Sequence, residues 1–238
     1  MHVTLLSHTK DIEPLIAAAA RTCYSPMTTE EIYKTMAADP EKNKAFIQRL
    51  RDMGHESPLE HVSFTFGIDG VSRALTHQLV RHRVGCSYSQ QSQRYVDGHN
   101  FSYVIPHTIA TKPYLKQAYE DFMKQEKDFY EALVENGIPK EDARYVLPNA
   151  TTSNIVVTMN VRELLHFFSV RCCQRAQWEI RKLAWKMLDI CKEVCPILFD
   201  GCGAFCDQNG YCKEGSMSCG KYPLLYDITK SKEESRHV

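Results

Sequence analysis

The chain has 238 residues, 43% of them hydrophobic, and its 29 Lys and Arg residues balance its 29 Asp and Glu residues. This composition is ordinary for a globular protein, so collagen-like, mucin-like and wholly disordered chains are excluded. Zero net charge argues against a general polyanion binder, and because no apolar run approaches the ~18 residues that span a bilayer, we expect a soluble, cytoplasmic protein.

The first part of the sequence predicts one strand and three helices. Residues 2–7 have the composition of a short strand. Apolar residues recur at three- and four-residue spacing over 12–23, which predicts an amphipathic helix that ends before Pro26. Two further helices are predicted around 29–38 and 40–53.

The middle of the chain predicts strands that alternate with helices. Apolar residues occupy every second position over 62–68, as in a strand with one buried face. Ser72 is a candidate N-cap for a helix that carries the segment RALTHQLVRHR. Residues 101–105 predict another strand, and 112–136 predict a long polar helix.

The last part predicts a strand over 153–160, which is rich in β-branched residues, and a helix directly behind it. A long helix follows, with apolar residues on one side over 180–191. The mixed order of elements predicts an α+β fold, with a mixed or antiparallel sheet and flanking helices. We expect one domain over residues 1–200, and a Cys- and Gly-rich extension over 201–238 that ends in a solvated SKEESRHV tail.

The densest polar cluster runs from Gln78 to Tyr95 and contains an Arg-His-Arg triplet. On a helix, Arg73, His77 and Arg81 share one face. Guanidinium groups and hydroxyls hold phosphate, and a glutamine can donate to and accept from the imide of a pyrimidine. A solvated basic helix end is the alternative, and composition does not decide between them.

A second polar segment, HESPLEH, carries His55, Glu60 and His61. The two histidines are six residues apart with Pro58 between them, so they lack the four-residue spacing of a helical metal-binding pair. A bent turn that presents hydroxyl and imidazole groups to a ligand is favoured over a metal site. A loop capped by its own side chains is the alternative.

Further polar and basic residues lie at the predicted junction between the strand at 153–160 and its helix. They are Asn160, Arg162, His166 and Arg171, with Arg144 upstream. Arg162 and His166 share one helical face, and converging arginines could neutralise a dianionic phosphate. Surface salt bridging is the alternative for Arg162 taken alone.

Ten cysteines in a chain without an export signal predict reduced thiols rather than a disulfide framework. Four of them near the end could wrap a zinc ion: Cys202, Cys206, Cys212 and Cys219. Their spacings do not match paired CxxC knuckles, so free thiols are favoured and no metal site is predicted. A zinc-dependent RNA-binding module is the alternative function, against which the zero net charge argues.

Five segments in order, GHESPLEHVSFTF, RHRVGCSYSQQSQRYV, ARYVLP, MNVRELLHF and RAQWEI, resemble the flavin-dependent thymidylate synthase family over about residues 50–200. The resemblance implies a homotetramer with active sites where subunits meet, and FAD bound in a non-Rossmann manner. The absence of a GxGxxG loop after a strand agrees with this. Between Arg83 and Ser92 the spacer VGCSYSQQ has eight residues where the family has seven, which predicts a bulge near Gly85 or Cys86.

The family's reaction is the reductive methylation of dUMP to dTMP, in which methylenetetrahydrofolate supplies the carbon and NADPH-reduced FAD the hydride. The resemblance therefore implies a flavoprotein methyltransferase of dTMP biosynthesis. The implied FAD-binding positions are Ser57, Arg81, His82, Arg83, Gln90, Asn160, Val161, Arg162 and His166. The implied dUMP-binding positions are Gln78, Leu79, Val80, Arg81, Gln90, Gln91, Ser92, Gln93, Arg94, Arg144 and Arg171. Arg171 is implied to be catalytic, because it corresponds to the arginine that favours ionisation at N3 of uracil.

Overall fold

The structure of the protein is a computed structural model, in which residues 1–96, 98 and 101–228 are described. A sheet of four strands runs through it in the order β1-β2-β4-β3. The strands are β1 (His2–His8), β2 (Ser63–Ser72), β3 (Cys86–Gln90) and β4 (Thr152–Asn160). The expected SKEESRHV tail lies outside the described residues.

Neighbouring strands of the sheet run antiparallel. Thr65 faces Thr158, with their hydroxyls 2.9 Å apart, whereas Gly70 further along β2 donates its N–H to Asn154 Oδ1 earlier in β4. The contact on β4 thus moves backwards as β2 advances, which defines an antiparallel pair. The α+β prediction with an antiparallel sheet and flanking helices is confirmed.

Helices precede the sheet, connect its strands and follow it. The longer ones are α1 (Ile12–Thr22), α2 (Thr29–Ala37), α3 (Pro40–Asp52), α4 (Arg73–Leu79), α6 (Pro113–Glu135), α8 (Val161–Arg171) and α9 (Trp178–Val194). Short turns of helix are α5 (His107–Ala110), α7 (Lys140–Ala143), α10 (Pro196–Phe199) and α11 (Phe205–Asn209). Among the described residues, every helix is too short or too polar to span a bilayer.

The chain divides into two compact units. Unit 1 comprises the described residues of Met1–Thr4, Phe66–Arg81 and Ser87–Val157. Alternate residues of β2 and β4 fill its interior, because successive side chains of a strand point to opposite faces. The fully or nearly fully buried apolar side chains include Phe66, Ile68, Leu75, Leu79, Met123, Tyr130 and Val157.

Unit 2 comprises the described residues of Leu5–Thr65, His82–Cys86 and Thr158–Val238. In it α1 packs against α2 and α3, and α8 packs against α9. Its interior holds edge-to-face aromatic contacts from Phe199 to Phe64 and Phe168, whose ring centroids lie 5.6 and 6.1 Å away. This packing fixes α8, the helix that carries most of the candidate site of unit 2.

Most predicted elements are confirmed, but two are wrong. Residues 101–105 form only an isolated bridge, Tyr103 with Thr151, because their pairing with 150–152 stops within a few residues and Pro106 cannot donate a hydrogen bond. The helix expected through RALTHQLVRHR starts at its predicted N-cap, Ser72, but ends at Leu79. The Arg-His-Arg triplet therefore lies beyond the helix, so Arg81 does not extend its face.

Two elements of the structure, a strand and a 3-10 helix, were not predicted from the sequence. Strand β3 is half exposed and built from polar residues, so it lacks the apolar alternation that marks a strand. The HESPLEH segment contains a 3-10 helix over Ser57–His61, with Pro58 in its first turn, where a bent turn was expected.

Candidate functional site

His82, the centre of the Arg-His-Arg triplet, is buried in unit 2 and only 8% exposed. Its Nδ1 lies 2.7 Å from Glu163 Oε1, and its Nε2 accepts a hydrogen bond of 3.1 Å from Arg171 Nε. An arginine can only donate, so Nε2 carries no proton and Nδ1–H donates to Glu163. The ring is thereby held in one tautomer between an anion and a cation.

The surroundings of His82 favour its neutral form. Burial lowers the pKa of His82, the hydrogen bond to Glu163 opposes this, and the positive charge of Arg171 lowers it further. Phe167 meets the ring edge-to-face with centroids 5.1 Å apart. The imidazole is therefore a fixed, neutral acceptor for Arg171 near pH 7.

Metal ligation was considered for two groups of residues. The ligand atoms of His82, Glu163 and His166 lie within 4.8 Å of one another, the one such group of three among the residues described. The guanidinium of Arg171 opposes a cation there, and it already occupies the lone pair of Nε2. In the Cys-rich end, no three of the four candidate thiols come within this distance of each other.

Beside this cluster, unit 2 has an open cavity of about 640 Å³. It brings together three of the predicted FAD-binding residues, Asn160, Arg162 and His166. The other lining residues are Gln48, Arg51, Asp52, Glu56, Leu59, Glu60, Val84, Glu163, Leu165, Ser169, Phe205, Gln208 and Asn209. Amide, guanidinium and imidazole groups thus face one space.

Arg162 lines this cavity and belongs to an ion-pair network. It contacts Glu56 at 3.3 Å and Glu60 at 2.5 Å, and all three side chains are about half exposed. Water screens such exposed pairs, so they hold the guanidinium only weakly. Arg162 can exchange these carboxylates for another anion at small cost.

Asn160 joins β4 to α8. Its Oδ1 accepts from the N–H of Glu163 at 2.9 Å, which caps α8, and its own N–H donates to the carbonyl of Gly85. Gly85 has a φ of +68° and leads into β3, and an added Cβ there would lie 2.6 Å from Asn160 Cγ. A left-handed glycine therefore occupies the position where the longer spacer predicted a bulge.

In unit 1, the side-chain amide of Gln90 is fixed by two hydrogen bonds. Its Nε2 donates to Thr76 Oγ1 at 3.0 Å and to Ser153 Oγ at 3.2 Å. It lines a cavity of about 260 Å³ together with Val80 and Gln93. The remaining lining residues are Arg73, Thr76, His77, Leu147, Pro148 and Asn149.

Two arginines of unit 1 that are predicted to bind dUMP meet at Glu141. Arg94 donates to its carboxylate at 3.0 Å, and Arg144 Nε donates to its backbone carbonyl at 3.0 Å. Arg144 also lies near enough to Arg73 to lower the pKa of that guanidinium, although burial is the larger cause. Arg73, Arg94 and Arg144 thus lie in one part of unit 1, where the carboxylate of Glu141 balances the charge of Arg94.

The other predicted site residues are spread over the two units. Leu79 and Val161 are fully buried in the core, backbone included. Exposed or partly exposed side chains are those of Ser57, Gln78, Arg81, Arg83, Gln91 and Ser92. Ser92 Oγ accepts from the N–H of Arg94 at 3.2 Å, which links two predicted dUMP-binding positions.

Glu163 is the main site residue that the sequence did not reveal. It stands three residues after Asn160, the spacing of a capping box, and this could have indicated a helix start. A capping-box side chain turns back to the N-cap, but the carboxylate of Glu163 reaches His82 instead. Only the long-range contact, 81 residues apart in sequence, gives it a place in the site.

Comparison with known proteins gives consistent results. Residues 4–197 match the family described as thymidylate synthase complementing protein. The chain is 51% identical over 234 residues to the flavin-dependent thymidylate synthase of Nitratidesulfovibrio vulgaris, covering 93% of this chain and 95% of that protein. It is 50% identical over 223 residues to that of Geobacter sulfurreducens, covering 93% and 94%, and 44% identical over 226 residues to that of Pyrococcus abyssi, covering 91% of each. The chain belongs to the flavin-dependent thymidylate synthase family.

Proposed function

We propose that the protein converts dUMP to dTMP by reductive methylation. In the balanced reaction, dUMP, methylenetetrahydrofolate, NADPH and a proton give dTMP, tetrahydrofolate and NADP⁺. Its support is the family membership, with relatives named flavin-dependent thymidylate synthase that are 50% and 51% identical over more than nine-tenths of both chains. A zinc-dependent RNA-binding module has no such support.

The chain offers a donor set that fits FAD. The cavity of about 640 Å³ presents the amide of Asn160, the guanidinium of Arg162 and the imidazole of His166, which suit the carbonyls of a flavin and the diphosphate of the cofactor. FAD, when bound, accepts a hydride from NADPH and passes it on. Since no GxGxxG loop follows a strand, we propose a non-Rossmann mode of binding.

The assignment of Ser57, His82 and Val161 to FAD binding is a narrower proposal. Both ring nitrogens of His82 already have protein partners, so we propose that His82 contributes by holding its neighbours rather than by donating to the flavin. Val161 is fully buried and its N–H donates to the carbonyl of Val62, so we propose that it contributes by packing beneath its neighbours. The exposed Arg81 and Arg83, which flank His82, are proposed to contact the cofactor directly.

For dUMP we propose two kinds of contact. Ser92, Arg94 and Arg144 bind the phosphate, since guanidinium groups and hydroxyls suit a dianion. The amides of Gln78 and Gln90 contact the uracil edge, and Arg171 favours the N3-ionised base, which raises electron density at C5. A fixed cation near developing negative charge is worth a few kcal/mol because it need not reorganise.

We propose that the protein acts as a homotetramer whose active sites contain residues from more than one subunit. Family resemblance supports this, and light scattering at assay concentration tests it. A mass near four times the 27.3 kDa of the chain is expected. A monomer with full activity would contradict the assembly and leave the reaction standing.

The function itself is tested by an anaerobic assay. Purified protein should carry a yellow flavin spectrum and form dTMP only when dUMP, NADPH and methylenetetrahydrofolate are all present. dTMP is measured directly, because NADPH oxidation alone does not report methyl transfer. Flavin-containing protein that oxidises NADPH without forming dTMP would contradict the proposal.

A further inference from the structure

Glu163 has a largely buried carboxylate that the proposed reaction does not use. Its side chain is 11% exposed and lies in the first turn of α8. Removing a carboxylate from water is costly unless it is hydrogen-bonded, and here the His82 ring supplies a partner at 2.7 Å. This contact also determines whether Nε2, on the other edge of the ring, donates or accepts a hydrogen bond.

The two hydrogen bonds of His82 are coupled through its ring. If Nδ1–H donates to Glu163, Nε2 must be the acceptor in the neutral imidazole, and Arg171 Nε finds a lone pair at 3.1 Å. If Nε2 carried the proton instead, two N–H groups would face each other. The carboxylate of Glu163 therefore selects the tautomer that can hold Arg171.

We propose that Glu163 is a positioning residue, which fixes the guanidinium of Arg171 through the tautomer of His82. The inference rests on the proposed role of Arg171 toward uracil. Phe167 packs edge-to-face on the His82 ring, and His166 lies 5.8 Å from it, so the ring has little room to turn away. The relay Glu163–His82–Arg171 lies entirely within unit 2.

The imidazole has an advantage over a direct carboxylate contact. A carboxylate on Arg171 would orient it but also cancel much of its positive charge. A neutral imidazole orients the guanidinium and leaves its charge available to the base. The relay thus orients the guanidinium of Arg171 without neutralising its charge.

The test follows the ionisation of bound 5-fluoro-dUMP in the FAD-loaded enzyme, by fluorine NMR as a function of pH. The fluorine reports the charge of the base, which a merely structural change does not move. In Glu163→Ala, we expect the N3 pKa of the bound nucleotide to rise toward that of the free nucleotide, as in Arg171→Ala. The kcat for dTMP should fall by tenfold to about a hundredfold, the range expected for a misplaced catalytic group.

Conservative variants separate positioning from folding. In Glu163→Gln the amide oxygen can still accept from Nδ1–H, so ionisation close to wild type is expected. In Glu163→Asp the charge and helix start remain but the reach is shorter, so the N3 pKa should rise as in Glu163→Ala; this variant carries the test if Glu163→Ala fails to fold. Glu41→Ala, which removes an exposed carboxylate paired with Lys44 on α3, is the control and should change nothing.

The outcomes distinguish the relay from the function on which it rests. If the wild type forms dTMP and folded Glu163→Ala and Glu163→Asp enzymes ionise the nucleotide as the wild type does, the relay is refuted alone. If the wild type neither binds 5-fluoro-dUMP nor forms dTMP, the proposed function is refuted and the relay with it.

Discussion

The hydrogen bond between Arg171 and His82 holds the guanidinium in place and matches one tautomer of the imidazole. The arginine needs an acceptor, and the buried imidazole becomes that acceptor because its other nitrogen faces a carboxylate. Sequence resemblance assigned roles to both residues, but it could not show that they touch, since 89 positions separate them. Glu163 escaped notice for the same reason, because its neighbours in sequence say nothing of its partner.

For Arg171→Ala we expect retained FAD and a drop in dTMP formation of about 10²–10³-fold, the usual effect of removing one fixed donor from a developing charge. The flavin spectrum reports cofactor content, and direct measurement of dTMP reports turnover. Arg49→Ala, which removes an exposed guanidinium of α3, is the matched control. Turnover within a few-fold of wild type would show that Arg171 has no such role.

His82 should make stability depend on pH. Because its pKa in the folded protein lies below the ordinary 6.5, the unfolded chain takes up a proton first as the pH falls. Its contribution is therefore intact above pH 6.5 and is lost progressively below it. Melting temperatures at pH 7.5 and 5.5 should differ more for the wild type than for His82→Asn, and equal differences would contradict the assignment.

The sequence predicted the elements whose own residues carry a clear signal, such as an apolar stripe or an N-cap. Helices such as α1 and α9 carry complete apolar stripes, and α4 begins at its predicted N-cap, Ser72. Strand β3 has no such signal because it is polar and half exposed, and it exists through its pairing with β4. The end of α4 was misplaced because the triplet after it contacts α8, a tertiary effect.

The turn between α4 and β3 depends on Gly85. Gly85→Ala should destabilise the protein by more than the ~1–2 kcal/mol that a left-handed alanine costs, because the new methyl group would also press on Asn160, the cap of α8. Gly137→Ala is the control, since that glycine has a φ of +82° and open space around its Cα. Urea unfolding compares the two, and equal losses would show that the contact with Asn160 relaxes freely.

The cysteines as a set show that the fold protects thiols by burial. Burial raises the pKa of Cys172 to about 12 and that of Cys195 to about 11, whereas Cys23 and Cys219 are exposed. The sequence predicted reduced thiols, and the structure pairs none of those described into a disulfide. Which thiols are buried could not be read from their spacing, because it depends on how α9 and the Cys-rich end pack.

This distribution predicts the order of alkylation in the native protein. Thiolates are the reactive form, so iodoacetamide at pH 7.5 should modify Cys23 and Cys219 well before Cys172 and Cys195. Mass spectrometry of peptides from timed samples measures the order, and denatured protein provides the control in which all ten react. Early modification of Cys172 in folded protein would show that this thiol is accessible.

The two units are interleaved along the chain, which crosses from one to the other five times, after residues 4, 65, 81, 86 and 157. No single cleavage can separate one unit from the other. Neither half of the chain contains all the segments of a unit. Synthesis must pass residue 157 before unit 1 has all of its parts, and it must add the segment that begins at Thr158 before unit 2 has its own, so residues from both sides of the Arg-His-Arg triplet are needed for each.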